Sequence, residues 1–263
     1  MPASLAFDQA VAFYDKTRGI PEWVSRAITD SLTRIAQLTP AARILEIGIG
    51  TGRIALPLLQ RGIGVIGIDL SLAMMEEIQK KVAGQDARAA LAQADANALP
   101  FPDASFDCAY AVNVYHVVAN WQHALREARR VVKPGGCFLV SYGYIDPQSS
   151  FGALRRKLAE MAREYGVGAL HPGAQSHDEV QAELERLGET RIVEVVRWSN
   201  AIVPARIVDG LAARRVSETW LIPDAVLAQI IPRLRAFAQA EFGDLSREMA
   251  GEERFVWIVA RRD

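Results

Sequence analysis

The run Ile44-Leu45-Glu46-Ile47-Gly48-Ile49-Gly50-Thr51-Gly52-Arg53 constrains this chain more than any other, because it joins an apolar, strand-like segment to three alternate glycines and then to a helical pattern. Such a turn brings backbone close to a ligand. Glycine carries no Cβ and accepts positive φ, and the first N–H groups of the following helix point into the same crevice. A strand, a glycine turn and a helix in that order belong to an α/β fold whose crevice lies at the carboxyl ends of the strands. The spacing departs from the dinucleotide fingerprint: Arg53 stands where the last glycine of GxGxxG would fall, and Glu46 places a carboxylate where an apolar strand residue is usual. A ligand presenting a cation fits that carboxylate better than a pyrophosphate does.

Three further segments repeat the theme of a strand that ends in a polar side chain. Val65-Ile66-Gly67-Ile68-Asp69-Leu70-Ser71 ends in an acid suited to two ribose hydroxyls, and Ser71 is a natural N-cap for a helix through Met74, Met75 and Ile78. The methionines either give an adenine a soft apolar contact or belong simply to the core. Asp95, in Gln93-Ala94-Asp95-Ala96-Asn97-Ala98-Leu99-Pro100, ends a third strand and leads into a short Pro-containing connector, where an acid also serves as a turn former. Phe106 to Asn113 reads as a buried strand with Asn113 at its carboxyl edge. Val131-Val132-Lys133-Pro134-Gly135-Gly136 then closes a helix and opens a fifth strand, Cys137 to Tyr142.

Together these motifs resemble the class I S-adenosylmethionine-dependent methyltransferases, in the small-molecule group that includes the ubiquinone and menaquinone C-methyltransferases, over about Arg43 to Tyr142. The resemblance implies a Rossmann-like, doubly wound α/β sheet, mostly parallel, with an antiparallel last strand between the fifth and sixth. It also implies S-adenosylmethionine as cofactor and S-adenosylhomocysteine as product. Carried over residue by residue, Gly48, Gly50 and Gly52 form the cofactor loop, Glu46 faces the ammonium group and Asp69 lies at the ribose, with Leu70 and Met74 also among the expected cofactor-binding residues. Asp95 accepts the adenine amino group, the Ala96 N–H meets a ring nitrogen, and Asn113 lies at the crevice edge. Similar proteins carry a Tyr-Asp…Arg element ahead of the core, here Tyr14, Asp15 and Arg18, whose helix folds down on the cofactor. Arg18 then either clamps the methionine carboxylate or is an ordinary exposed arginine.

A sulfonium methyl is already activated, so the chain has to hold a nucleophile in line, exclude water and, where needed, take a proton. His116 and Tyr115, just beyond the fourth strand, are the catalytic candidates by position, with packing as the other reading of His116; Tyr142, Tyr144, His171 and Glu218 stand further away in sequence. Two other classes compete. A nicotinamide-dependent oxidoreductase is disfavoured by Glu46, Arg53 and the Asp95 segment, whereas a cofactor-binding regulatory protein without transfer activity would share every motif.

With 263 residues, 50% hydrophobic and 23% charged, the chain can bury the core of a single elaborated domain. The expected organisation is a helical cap over 1–39, a cofactor-binding core over 40–145, and 146–263 supplying the remaining strands, helical decoration and a candidate lid over 199–222. In the cap, helices are expected over about 7–16 and 21–38. A net charge of −1 gives no field for nucleic acid, and Asn113-Val114-Tyr115-His116 lacks the Pro-Pro-aromatic turn that serves a flipped base. The expected partner is therefore a small-molecule methyl acceptor. Trp23, Tyr144, Trp198 and Trp220 either line its pocket or pin the decoration to the core. The clusters around Arg126 to Lys133 and Arg155 to Lys157 read as solvated faces. Cys108 and Cys137 sit in apolar strands and read as buried thiols of a reducing compartment, with no metal-ligand spacing. No leader-like N-terminus or bilayer-length apolar run occurs, so the expected location is the cytoplasm.

Overall fold

The computed structural model describes residues 3–84, 89–141, 144–145 and 148–263, so the candidate Tyr142 and the side chain of Tyr144 lie outside the described residues. The chain forms two compact units. The first comprises 1–143, 173–196 and 255–263, and the second 144–172 and 197–254.

In the first unit, strands β1 (Ile44–Ile47), β2 (Val65–Asp69), β3 (Ala89–Gln93), β4 (Phe106–Val112) and β5 (Val132–Ser141) pair in the order β3-β2-β1-β4-β5, all parallel. Parallel strands covered on both faces read as continuous apolar runs, and β1 is buried at every position. The last strand, β8 (Met249–Arg261), runs antiparallel beside β5 with Phe138 opposite Ala260 and Val140 opposite Ile258, and it also pairs with β7 (Thr190–Ile202). The expected antiparallel insertion is thus present.

The α/β alternation follows from helices placed between these strands. Helix α3 (Ala55–Leu59) follows β1. Helix α4 (Leu72–Val82) follows β2 and starts at the expected cap, with Ser71 Oγ accepting from the Met74 N–H at 3.1 Å. On one face of the sheet, Ala109, Phe138 and Ile258 pack with Ala124, Leu125 and Ala128 of α5 (Trp121–Val131) and Val180 and Leu184 of α7 (His177–Leu187). Successive strand residues point to opposite faces. Trp257 accordingly turns away from that cluster and donates to Ser31 Oγ on α2 (Glu22–Ile35) at 2.9 Å, with its ring edge-on to Tyr110 at 6.4 Å.

Two local expectations are corrected here. The N-terminal helix over 7–16 is replaced by a 3-10 turn, Asp8–Ala10, and a short α1 (Tyr14–Arg18), because long-range bonds hold this segment on the core: Leu5 N–H donates to Val117 O at 2.9 Å and Ser71 Oγ to Asp8 at 2.6 Å. Strand β5 begins at Val132 rather than after the glycines. Its pairing slips between Phe106 and Cys108, so Lys133 to Gly136 form an irregular excursion with Gly135 at φ +78°.

The second unit has its own core. Leu154, Leu158 and Met161 of α6 (Ser150–Glu164) meet Val208 and Leu211 of α8 (Pro204–Ala212) and Ile230, Leu234 and Ala238 of α9 (Asp224–Phe242). Its strand β6 (Tyr144–Ile145) pairs antiparallel with Glu253 and Arg254. The stretch 199–222 is therefore not irregular: it holds the end of β7, α8 opened by Pro204, and a 3-10 turn at Ser217–Thr219.

Gly173 is the tightest point for substitution. A Cβ there would lie 2.0 Å from the Tyr115 carbonyl oxygen and 2.7 Å from that of Val118, both rigid backbone, while its N–H donates to His116 O at 2.9 Å. Gly173→Ala should lower unfolding stability by about 2 kcal/mol or more, at the upper end of overpacking costs; urea unfolding of the two proteins measures it.

Candidate cofactor site

The order in which successive strands are laid down reverses between β1 and β4, which leaves a crevice beyond their carboxyl ends. A cavity of about 70 Å³ lies there, lined by Tyr14, Gly48, Gly50, Asp69, Leu70, Met74, Asp95, Ala96 and Asn113. Most of them come together because they sit at or just past a strand end, whereas Tyr14 arrives on α1 and Met74 on the first turn of α4. Gly50 has φ +53°, and a Cβ added to it would meet only Met74 Cε, at 3.5 Å, so its backbone borders the cavity directly. Asn113 also lies in the left-handed region, at φ +57°, and its N–H donates to Ser141 O at 2.8 Å, which ends β4 with a sharp bend.

The acids of this crevice differ in their bonding. Asp69 accepts from the Gly50 N–H on Oδ2 and from the Ser71 N–H on Oδ1, each at 2.9 Å, tying the glycine loop to the end of β2. Burial raises its carboxyl above the usual range, and the Ser71 and Gly50 amides oppose the rise. Asp95 Oδ1 accepts from the Asn97 N–H at 2.8 Å, and the Asn97 side chain donates on to Ala119 O at 2.8 Å. Glu46 is only 3% exposed and lies behind the cavity wall, where Tyr110 Oη donates to it at 2.8 Å. Burial pushes the Glu46 carboxyl up to about 8; Tyr110 and Arg53 pull it down, and Asp69 adds repulsion.

The N-terminal segment closes the crevice. Besides the Leu5 and Asp8 contacts, Ser4 Oγ accepts from the Ala119 N–H at 3.0 Å, and the rings of Phe7 and Tyr14 meet edge to face at 6.0 Å. Asp15 accepts from Thr51 Oγ1 at 2.6 Å and pairs with Lys81 at 2.7 Å. Burial pushes the Asp15 carboxyl up, but the Lys81 and Thr51 bonds outweigh it and leave the group below the usual range. Leu5, Phe7, Val117 and Val118 line the cavity without having been signalled by the sequence, since only the fold brings them there.

Several chosen residues are placed elsewhere. Arg18 does not line the cavity; its carbonyl accepts from the Arg53 guanidinium at 2.6 Å, so the element is fastened by Arg53 and Asp15. Gly52 has a packing role, because a Cβ there would lie 2.4 Å from Ile78 Cδ1. Tyr115 is fully buried in the main core, its ring edge-on to Phe138 at 6.3 Å, and burial drives its hydroxyl far above the usual range. It is no proton carrier. His116 is half-buried on the turn after β4, outside the cavity wall. In the second unit, His171 meets Ser217 Oγ at 3.1 Å, and Arg155 pairs with the buried Glu218 at 2.6 Å. Arg155 is thus a buried acid's partner and not part of a solvated face. The cluster in the first unit is neutralised by acids: Arg126 by Glu183 at 3.1 Å, Arg130 by Glu127 at 2.7 Å and Lys133 by Asp107 at 2.5 Å. Among the acceptor-pocket aromatics, Trp23 is 55% exposed and Trp220 donates to Arg214 O at 2.9 Å.

Among the described residues no three His, Cys, Asp or Glu side chains are grouped to hold a metal, and no helix is long and apolar enough to cross a membrane. A larger cavity of about 480 Å³ lies at the opposite, amino edge of the sheet, beside Asp107, Lys133 and Arg261. Size alone would favour it. The smaller one, at the strand ends and bordered by the glycine loop, is the candidate cofactor site.

This strand order, glycine loop and succession of acids define a class I methyltransferase fold, and comparison with known proteins agrees. The family described as "Methyltransferase domain" matches residues 45–140. The chain is 32% identical over 237 residues to the 27-O-demethylrifamycin SV methyltransferase of Amycolatopsis mediterranei, covering 86% of this chain and 83% of that protein. It is 33% identical over 136 residues to the demethylmenaquinone methyltransferase of Thermus thermophilus, covering 51% and 60%. The crystal structure of the YcgJ protein from Bacillus subtilis superposes with a TM-score of 0.62 at 22% identity, over 90% of this chain and all 100% of that one, a likeness of fold. The chain belongs to the S-adenosylmethionine-dependent methyltransferases, and it transfers methyl groups to a small-molecule acceptor.

S-adenosylhomocysteine should therefore raise the melting temperature where NAD does not. At 100 times its Kd the added stability is about 2.7 kcal/mol by mass action, read in a thermal-shift titration.

Proposed function

We propose that this chain methylates an oxygen of a small molecule in the cytoplasm, by positioning and desolvation more than by acid–base chemistry. The observation that carries the acceptor is the rifamycin relative, whose name sets the missing methyl on an oxygen and whose match spans 86% of this chain, whereas the menaquinone relative matches only 51%. S-adenosylmethionine supplies an activated methyl on a sulfonium. An acceptor hydroxyl displaces it in line, the S–CH₃ bond breaks as the O–CH₃ bond forms, and the hydroxyl proton leaves to water or a nearby carboxylate.

In this reading the chain's residues divide the work of binding. Asp69, with Leu70 beside it, takes the ribose hydroxyls on lone pairs its backbone bonds do not use. Asp95 and the Ala96 N–H read the adenine edge, Met74 lies along its face, and Gly48 and Gly50 let the backbone approach the methionine portion, with Asn113 beside the reacting centre. Glu46 supports the ammonium group from behind the loop. A cavity of about 70 Å³ is well below the roughly 300 Å³ of small-molecule sites, so cofactor entry has to lift the segment around Phe7 and Tyr14.

Transfer of labelled methyl from S-adenosylmethionine into hydroxylated polycyclic acceptors, their O-methylated forms and amine analogues tests the acceptor. Incorporation into the free hydroxyl compounds alone is expected, and incorporation only into amines or ring carbons would overturn it. A second expectation concerns Glu46. In the free protein its carboxyl keeps its proton below about pH 8, and an ammonium group stabilises the ionised form, so binding releases a proton. Affinity for S-adenosylhomocysteine should then rise with pH, by up to about tenfold per unit between about pH 6 and 8, and level off above. Calorimetry in buffers of different ionisation enthalpy reads the proton, and Glu46→Gln should abolish its release.

A further inference from the structure

Two thiols stand on neighbouring strands of the first unit. Cys108 on β4 and Cys137 on β5 are in-register partners of the parallel ladder, and both are buried and free. In-register neighbours lie about 4.8 Å apart along the hydrogen-bonding direction, inside the roughly 4.4–6.8 Å Cα range of disulfides, and they present their side chains to the same face. The Cys108 thiol donates to Ala109 O at 3.6 Å, and each thiol perturbs the other's ionisation.

Their surroundings differ. Cys137 borders the cavity of about 480 Å³ at the amino edge of the sheet, together with Gly136 and Arg261, although only 2% of its surface is exposed; Cys108 is fully enclosed behind it. The neighbouring Cys108 lowers the Cys137 thiol, burial opposes this, and Arg261 and Arg191 lower it further. Cys137 is thus the sulfur at the cavity beside Arg261, and Cys108 the enclosed neighbour behind the wall.

We propose that Cys137 is a peroxide-reactive site and that Cys108 resolves it into a Cys108–Cys137 disulfide. In the first step the Cys137 sulfur attacks a hydroperoxide oxygen, the O–O bond breaks, and sulfenic acid forms with release of water or an alcohol. In the second step the Cys108 sulfur attacks the Cys137 sulfur, the S–OH bond breaks, and hydroxide leaves as water with the Cys108 proton. Two electrons pass from the thiol pair to one peroxide. A hydroperoxide as small as hydrogen peroxide is close to water in size, so the cavity wall is sufficient access.

The test uses the reduced full-length protein, treated with hydrogen peroxide and analysed by thiol counting, intact mass and peptide mapping under denaturing, non-reducing conditions. Both thiols should disappear together, the mass should fall by two hydrogens, the Cys108 and Cys137 peptides should be linked, and dithiothreitol should restore them. In Cys108→Ser a dimedone-trappable sulfenic acid should accumulate on Cys137, and in Cys137→Ser the Cys108 thiol should survive. Arg261→Gln, a conservative surface change, should slow the loss of thiols several-fold. Thiols of the unmutated protein that outlast peroxide able to oxidise glutathione overturn the proposal, as do linkages between chains instead of within one. Where a cysteine variant fails to fold, the linked peptide of the unmutated protein and the Arg261→Gln rate decide.

Discussion

The inner strands of a parallel sheet covered on both faces satisfy their backbone everywhere except at their ends, and in this protein the cofactor features gather at those ends. Only where β1 is flanked by β2 on one side and β4 on the other do neighbouring connections diverge and leave room for a ligand. The polar residues at these ends therefore converge without any one of them having to direct the others. Asp69 then couples the ends to the loop, since its bonds to Gly50 and Ser71 set both the glycine turn and the start of α4.

The same constraint explains the charge state of the site. Glu46 is placed within β1, so it is buried along with the strand, and burial holds its proton against the opposing Tyr110 bond, while Asp95, beyond the end of β3, is half-buried and bonded locally by Asn97. One position inside a strand and another just past a strand's end are enough to give two carboxylates different surroundings. The site is preorganised for a ligand that brings its own positive charge to the buried acid.

Much of this was legible in the chain because the signals were local. Gly48 and Gly50, the acids at the ends of β2 and β3 and the Ser71 cap depend on neighbours within a few residues, and the structure sets the first four at the crevice and the cap at the start of α4. The N-terminal segment was not, because Leu5 meets Val117 and Asp8 meets Ser71 across long stretches of sequence, and these bonds replace helix with a strap. Arg18 and Tyr115 failed for a related reason: position along the chain placed them near the crevice, but side-chain direction turned one outside the cavity wall and the other into the core. Segment 199–222 reads as irregular because prolines punctuate it, yet Pro204 occupies the first turn of α8, where a proline starts a helix instead of breaking one.

The β5–β8 ladder has a kinetic side. The two strands are adjacent in space but far apart in sequence, with the entire second unit threaded between them, so their pairing closes one of the longest loops in the fold. Contacts of that kind form slowly, whereas β1 to β5 are assembled from short crossovers. The sheet is then expected to exist for a time as a five-stranded intermediate with β5 as an open edge, its Leu139 and Val140 unprotected and ready to pair with another chain. Trp257, buried by β8 and bonded to Ser31, is a built-in fluorophore for the moment that edge is sealed.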